Sequence, residues 1–290
     1  MSQGSSADPA SLGIPCLLLS TTALPDSASN PYIAAATRQL HTLLSSTPRY
    51  PNNAISHRSS YPSLWSDFVY MVPPFLAYYA VFTNDLDLLL ESVEQCEHYR
   101  DILGTENGAW KHVANTGGQG DMKSDDGAWC TGNAWAAAGM SRVLATLVHS
   151  QYASQTARPQ ASLIDMTKDI LDAAIQADTH GSGLLRNYLD DESWFGEVAG
   201  TALMTATVFR VAVLEPEIFQ AVKYTAWAER KVEAIGRHVD SETGIAAPVV
   251  NSLKEGQRTP LDGINPEAQA FVVLMFAAWR DWKQATKRHG

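Results

Sequence analysis

The feature that most constrains this fold is a series of long segments whose apolar residues recur at helical spacing. In one segment the two faces separate cleanly, with apolar Leu86, Leu89, Leu90, Val93 and Cys96 opposite acidic Glu91, Glu94 and Glu97. This spacing is that of an amphipathic helix. Asn84-Asp85 precedes it as a plausible N-terminal cap.

The same reasoning predicts eight helices, at about 31–46, 62–82, 85–103, 129–149, 162–178, 194–213, 217–238 and 264–287. The fourth and the eighth are apolar around much of their circumference, so we expect them to be buried. The Ser-, Gln- and Pro-rich stretch 150–161 is predicted to be a surface loop.

Evidence for strands is poor. The best local stretch, 246–250, is interrupted by Pro248, which cannot donate to a ladder. Short extended pieces there and near 14–19 stay open. Long helices in sequential pairs predict an all-α fold of stacked helical hairpins. We expect one domain over 1–290, with an irregular N-terminal segment at 1–30.

The net charge of −10 argues against nucleic acid and anionic membrane as partners. No apolar run approaches the roughly 20 residues of a membrane span. The short run 14–19 lacks a preceding Lys or Arg and contains Pro15, so it does not match a secretion signal. Three widely spaced cysteines form neither a disulfide framework nor a zinc motif. A cytoplasmic protein is therefore expected.

The loops between the helices combine tryptophan with carboxylates, amides, His and Arg, at 52–67, 107–135, 183–197 and 257–269. Flat rings stack on the apolar face of a sugar, and planar polar groups bind its hydroxyls. The sequence has no metal-binding, nucleophile-elbow or phosphate-loop motif. Acid–base chemistry by carboxylates is the simplest catalytic option, and it requires an Asp whose pKa is raised.

Each of these residues also has a plain structural interpretation. Asp67 could serve only the dipole of a helix start, and Asp125-Asp126 before Gly127 could be turn and cap residues. His57 and His112 could be surface groups or hydrogen-bonding histidines without a catalytic role. The residue pattern alone leaves these alternatives open.

Six motifs in order resemble one family. They are LWSDFVYMVPPFLAYY at 64–79, GAWKH at 108–112, WCTGNAW at 129–135, GLLRNYLD at 183–190, GEVAGTA at 196–202 and NPEAQAF at 265–271. The chain, over about 50–285, is similar to the six-hairpin glycosidases, namely the unsaturated glucuronyl and rhamnogalacturonyl hydrolases of glycoside hydrolase families 88 and 105, and within them to a fungal-type branch.

The resemblance implies an (α/α)6 toroid with a pocket at one end and a small-molecule or oligosaccharide substrate. It implies that a carboxylic acid protonates the C4=C5 double bond of a terminal unsaturated uronic acid. Water then adds at C5, and the product falls apart to release the remaining saccharide. It also implies that no metal and no cofactor take part.

Carried over residue by residue, the resemblance gives the acid/base as Asp125 or Asp126, with Asp121 as a weaker candidate, and the supporting carboxylate as Asp67. We expect Asp67 and the loop Asp to lie close together, so that like-charge repulsion raises one pKa. The predicted substrate-binding residues, from the resemblance and the loop composition, are His57, Trp65, Trp110, His112, Trp129, Asn133, Trp135, Arg186 and Trp194.

Two departures from the family pattern affect the prediction. Thr131 stands where the family usually has an Arg, which removes a planar carboxylate binder. Eight helices are also fewer than six hairpins need, so the toroid is predicted to be incomplete at its N-terminal side, completed by a neighbour, or completed by unrecognised helices.

Two other functions therefore stay open. One is an intracellular tailoring enzyme, an isomerase, dehydratase or cyclase, that acts on a small hydrophobic metabolite in the same pocket. The other is a non-catalytic sugar-binding protein. A cation placed for a carboxylate would favour the uronate hydrolase, an apolar wall the tailoring enzyme, and the absence of converging carboxylates the binding protein.

Overall fold

The computed structural model describes residues 4–22, 30–116 and 123–288, which are mostly helical. The helices are α1 (Ala7–Ser11), α2 (Gly13–Thr22), α3 (Pro31–Ser45), α4 (Phe68–Met71), α5 (Pro73–Thr83), α6 (Leu86–Leu103), α7 (Cys130–Val148), α8 (Ala157–Gln176), α9 (Val198–Leu214), α10 (Pro216–Phe219), α11 (Val222–Arg237) and α12 (Pro266–Arg288). Two short strands, β1 (Ser63–Trp65) and β2 (Val113–Asn115), pair antiparallel.

The helices form an inner and an outer row. In the described part of the chain, the inner row consists of α2, α5, α7, α9 and α12, and each of these helices packs against the next one along the row. The outer helices α3, α6, α8 and α11 pack on α2, α5, α7 and α9, respectively. This alternation confirms the predicted all-α toroid of helical hairpins.

Small residues let α7 approach the segment that precedes α5. A Cβ atom added to Gly139 would lie 2.2 Å from the carbonyl oxygen of Val69, and one added to Gly132 would lie 2.3 Å from Ser66 Oγ. Any larger side chain at these positions would push α4 away from α7. Because Asp67 directly precedes α4, this contact fixes its carboxylate beside the start of α7.

Polar caps fix where several helices begin. Asp85 accepts a hydrogen bond from the Leu88 amide at the start of α6, as the sequence predicts. Asn265 accepts hydrogen bonds from the amides of Glu267 and Ala268 at the start of α12. Such caps satisfy amides that have no partner within the helix.

Two predictions, one of a helix and one of a loop, need correction. The helix predicted at 62–82 starts only at Phe68 and divides at Val72, because Ser63–Trp65 pairs with β2 and two prolines follow. The loop predicted at 150–161 holds a 3-10 turn at Ala153–Thr156 and the start of α8. Pro159 lies in the first turn of α8, where a missing amide hydrogen costs nothing.

The N-terminal segment was predicted to be irregular, and this is wrong for 7–22, which form α1 and α2. Pro15 lies in the first turn of α2, so it does not interrupt the helix. Residues 23–29 of the same prediction lie outside the described residues. Among the helices described, none has both the length and the apolarity that crossing a membrane would require.

Candidate active site

The polar loops meet at the end of the toroid where α7 and α9 begin. Backbone and side-chain hydrogen bonds join them: Ser66 N to His112 O (3.0 Å), His112 N to Gly127 O (3.0 Å), Cys130 N to Asn187 O (2.8 Å) and Asn187 Nδ2 to Glu255 O (2.9 Å). Residues from distant parts of the sequence therefore meet at one end of the toroid.

His112 lies at the centre of this site, between two carboxylates. Its Nδ1 is 3.0 Å from Asp125 Oδ2, and its Nε2 is 3.4 Å from Asp67 Oδ2. The second contact is an ion pair without hydrogen-bond geometry. Burial alone would lower the pKa of His112, but the hydrogen bond to Asp125 and the negative charges of Asp125 and Asp67 outweigh it and raise that pKa to about 9. The imidazole therefore carries a proton at neutral pH.

Both carboxylates are charged in this arrangement. Asp125 accepts hydrogen bonds from the Tyr188 hydroxyl (2.5 Å) and the Gly127 amide (3.0 Å) as well as from His112. Burial would raise the pKa of Asp67 and of Asp125, yet contact with His112 leaves both pKa values below the usual range. The expectation that like-charge repulsion raises one Asp pKa is wrong, because a cation separates the two carboxylates.

The structure separates the three candidate loop carboxylates. Asp125 faces His112, whereas the exposed Asp126 pairs with Lys111 at 2.9 Å. Asp121 lies outside the described residues. Only Asp125 of the two described loop carboxylates is thus placed beside Asp67 and His112.

Aromatic rings wall the site. His57 stacks on Trp65 with ring centres 5.0 Å apart, and Trp65 meets His112 edge-on at 5.4 Å. Trp129 lies on another side of His112, with ring centres 4.5 Å apart. Burial lowers the pKa of His57 to about 4, against the opposing charge of Asp67, so His57 is neutral beside the charged His112.

Five further residues of the predicted set have their described contacts elsewhere. Trp110 is buried. The side chain of Asn133 accepts a hydrogen bond from the Trp110 amide (2.7 Å) and donates one to the Trp110 carbonyl (2.8 Å). These two bonds hold the loop that contains Trp110 to α7. Arg186 donates to Thr179 and to the Glu192 carbonyl within its own loop region.

The described ring contacts of Trp194 and Trp135 are with residues other than His112. Trp194 stacks on Tyr188, the residue that binds Asp125, with ring centres 4.8 Å apart. Trp135 packs against Tyr70 at 4.4 Å and against Phe271 at 4.8 Å.

Sequence reasoning assigned no role to Tyr188, Arg58, Glu197 or Glu267, which the structure places at or near the site. Burial raises the pKa of Glu267, and charge repulsion from Asp67 adds to the shift. The position of Glu267 in the NPEAQAF motif, beside the Asn265 cap, was the sequence signal that could have identified it as a residue of the site.

Glu197 is completely buried and caps α9. Its two carboxyl oxygens accept hydrogen bonds from the amides of Ala199 and Gly200, each at 2.6 Å. Thr131 Oγ1 lies 3.4 Å from the same carboxyl and is also completely buried. Position 131 therefore faces the interior between α7 and α9, and its side chain does not reach an open substrate pocket.

Burial raises the pKa of Glu197 to about 7, although the amides of Gly200 and Ala199 oppose the shift. A raised pKa means that the native state favours the neutral acid, so its stabilising contribution is complete below about pH 4.5 and lost as the pH rises through 7. We predict that the free energy of unfolding of the wild type, relative to Glu197→Gln, falls by about 2–3 kcal/mol between pH 5 and pH 8.

Urea unfolding at the two pH values measures this difference, with the exposed Glu192→Gln as the matched control. Parallel pH profiles for the wild type and Glu197→Gln would show that Glu197 stays ionised throughout this range.

One nitrogen and two oxygens from His112, Asp125 and Glu255 lie within 4.8 Å of one another, as metal ligands do. A metal ion at this place would compete with the proton on His112, since a metal ligand must be deprotonated.

The fold is shared with solved structures of low sequence identity. A possible member of family GH105 from Salmonella enterica serovar Paratyphi A is 19% identical, with a TM-score of 0.75 over 92% of this chain and 71% of that chain. A family 105 glycoside hydrolase from C. acetobutylicum is 13% identical, with a TM-score of 0.72 over 94% and 78%. An unsaturated glucuronyl hydrolase from Bacillus sp. GL1 is 14% identical, with a TM-score of 0.66 over 95% and 74%.

The match to a family of glycoside hydrolases makes this protein an enzyme of the glycoside hydrolase type. The sequence profile described as Glycosyl Hydrolase Family 88 matches residues 11–278. The chain belongs to that family. No functionally curated protein matches the sequence.

Proposed function

We propose that this protein hydrolyses a terminal unsaturated uronyl saccharide by hydrating its C4=C5 double bond. The observation that carries the proposal is the protonated His112 between Asp67 and Asp125, inside an aromatic wall. Membership of family 88 and the fold of an unsaturated glucuronyl hydrolase support the same chemistry. Converging carboxylates argue against a purely sugar-binding role.

Asp67 is the better acid of the two carboxylates. Asp125 accepts hydrogen bonds from Tyr188, Gly127 and His112, each of which favours its charged form. Asp67 has a weaker contact with His112 and a 3.5 Å hydrogen bond from Ser66, and it is less exposed than Asp125. This reverses the roles that the resemblance gave the two residues.

Substrate binding supplies the change that protonates Asp67. The uronate brings a negative charge and displaces water, and both effects raise the pKa of a neighbouring carboxyl. The proton on His112 is one contact away and can move to Asp67. Asp125 then holds the neutral imidazole in place through Nδ1, so the tautomer that faces Asp67 is defined.

The reaction balances with water as the only co-reactant. Asp67 gives a proton to C4, while the oxygen of a water molecule bonds to C5 and its released proton returns to the carboxylate. The C5 hemiketal opens at the ring oxygen, which leaves a hemiacetal at C1. That hemiacetal expels the remaining saccharide as an alcohol, and no oxidant or reductant is required.

Arg58 is the cation placed for the uronate carboxylate. Its guanidinium lies over the Trp65 ring, 4.4 Å from the ring centre, and Trp65 in turn contacts His112. A planar guanidinium binds a carboxylate through two hydrogen bonds. This cation favours a uronate over an apolar metabolite, and it provides a carboxylate binder that does not depend on position 131.

We predict that Arg58→Gln raises KM for an unsaturated uronyl disaccharide about ten-fold or more, since a charge-assisted hydrogen bond to substrate is lost. The value of kcat should change much less, because the proton relay is intact. Steady-state kinetics measure both, with Arg186→Gln as the matched control. If Arg186→Gln raises KM and Arg58→Gln does not, the carboxylate is bound by the other loop.

The reaction type is tested with two disaccharides that differ only in the C4=C5 double bond. The proposal predicts that the purified protein releases the leaving sugar from the unsaturated compound and not from its saturated analogue. An ordinary glycosidase protonates the glycosidic oxygen and needs no double bond. Cleavage of both compounds at similar rates would therefore overturn the hydration mechanism.

A further inference from the structure

A cavity of about 500 Å³ lies among α4, α7, α9 and α12 and shares no lining residue with the Asp67–His112–Asp125 site. Cavities of this size are typical of small-molecule sites. Both α7 and α9 begin at the active-site end, and the cavity is lined from Ala138, in the middle of α7, and from Leu203, in the second turn of α9, onward. Arg142 lies thirteen residues beyond Trp129 along α7, roughly 20 Å at the helical rise. The cavity thus lies toward the other end of these inner helices.

The wall of this cavity is mainly apolar. Leu203, Leu214 and Leu274 line it together with Ala145, and Val213 lines it with a side chain 44% exposed. An apolar concave surface that remains in contact with water is unfavourable. An alkyl chain of suitable length would remove that surface from water.

The charged side chains on the wall are cationic. Among the described residues Arg142 and Arg210 line the cavity and no Asp or Glu does, although the chain carries 31 acidic and 21 basic residues. Arg210 is paired with Asp281 at 2.8 Å. Among the described residues no carboxylate pairs with Arg142, whose guanidinium donates to the Tyr70 carbonyl (3.2 Å) and lies over the Tyr70 ring at 4.4 Å.

We infer that this cavity binds an alkyl monocarboxylate of medium chain length, with its head group on Arg142 and its chain along the wall of α9 and α12. A guanidinium held flat by an aromatic ring keeps donors available for a planar carboxylate. The half-buried position of Arg142 strengthens this pairing relative to a fully exposed one. The site is separate from the proposed hydrolase site and does not depend on its chemistry.

Isothermal titration with decanoate, below its micelle-forming concentration, tests the inference on the full chain. We expect saturable 1:1 binding to the wild type, and binding at least about ten-fold weaker to Arg142→Gln, which loses the charged contact. Ala145→Trp should abolish binding by filling the cavity. Arg38→Gln, an exposed arginine on α3, is the matched control and should bind as the wild type does.

Two reference ligands separate the head group from the chain. Decanol should bind at least ten-fold more weakly than decanoate, and acetate should show no saturation. Circular dichroism checks that Ala145→Trp keeps its helix content. If it does not, Arg142→Gln gives an independent answer.

Several outcomes would overturn the inference. These are no saturable decanoate binding to the wild type, equal binding to the wild type and Arg142→Gln, or decanol binding as tight as that of decanoate. A dimer in sedimentation velocity that Leu274→Glu dissociates would show that a second copy of this chain covers the cavity instead.

Discussion

Replacing Asp67 by Asn is expected to lower kcat for an unsaturated uronyl disaccharide by about 10²–10⁴-fold, the range that general acid–base groups supply. The amide keeps the size of the side chain but cannot pass a proton from His112 to C4. Its surroundings change little, because Asp67 contacts mainly His112 and Ser66. KM should stay within a few-fold, since Arg58 and the aromatic wall still bind the substrate.

Asp126→Asn is the matched control for this prediction. Asp126 is a carboxylate in the same loop as Asp125, but it pairs with Lys111 outside the site. It should keep wild-type kcat. Asp125→Asn should also lose activity, through the position and protonation of His112. A fully active Asp67→Asn enzyme would contradict the acid assignment, and a loss confined to Asp126→Asn would move the chemistry to another part of the loop.

His112→Gln is expected to cost about 3–5 kcal/mol in the free energy of unfolding near pH 6, because it leaves two carboxylates together without their buried cation. The raised pKa of His112 sets the pH window. Its stabilising charge is complete below about pH 6.5 and is lost as the pH rises through 9. The difference between wild type and variant should therefore shrink as the pH is raised toward 10.

Urea unfolding of the two proteins at pH 6 and at pH 10 measures this effect, and the exposed His41→Gln on α3 is the control. A constant difference across this range would mean that the loss reflects packing against Trp129 and Trp65 rather than charge. The variant should in addition be inactive, since the proton store between the carboxylates is gone.

The helices could be predicted wherever the signal is local. The alternation of apolar and acidic residues after Asp85 predicts the bounds of α6 to within one residue. Both the N-terminal cap and the apolar face of this helix can be identified from residues that are close together in the sequence. The helices at 7–22 were missed because Pro15 normally indicates a break. Only its position in the first turn, which depends on where the helix starts, makes it harmless.

The choice between Asp125 and Asp126 could not be made from the sequence. Asp125 pairs with Val113 in an extended bridge, and neighbouring residues of extended chain point to opposite sides. One carboxylate therefore faces His112 and the next faces Lys111. The partner strand that sets this register, β2, ends ten residues before Asp125. Residue propensities do not determine the conformation of the loop between them.

The pKa directions were also beyond local reasoning. Two carboxylates were expected to repel, but the residue between them in space comes from a third position in the chain. Similarly, Asn133 matched a substrate-binding pattern, yet its amide joins the backbones of Trp110 and Trp129. Burial of a polar side chain follows from partners on other loops, which no single motif specifies.

The proposed activity of the site built on Asp67, His112 and Asp125 is the hydration of a conjugated uronyl double bond. The most direct measurement follows the absorbance of that double bond while purified protein is incubated with unsaturated rhamnogalacturonan and glycosaminoglycan disaccharides. We predict that absorbance is lost at the rate at which the leaving sugar appears, and that Asp67→Asn abolishes both. Unchanged absorbance with every disaccharide, at protein concentrations equal to substrate, would contradict the claim.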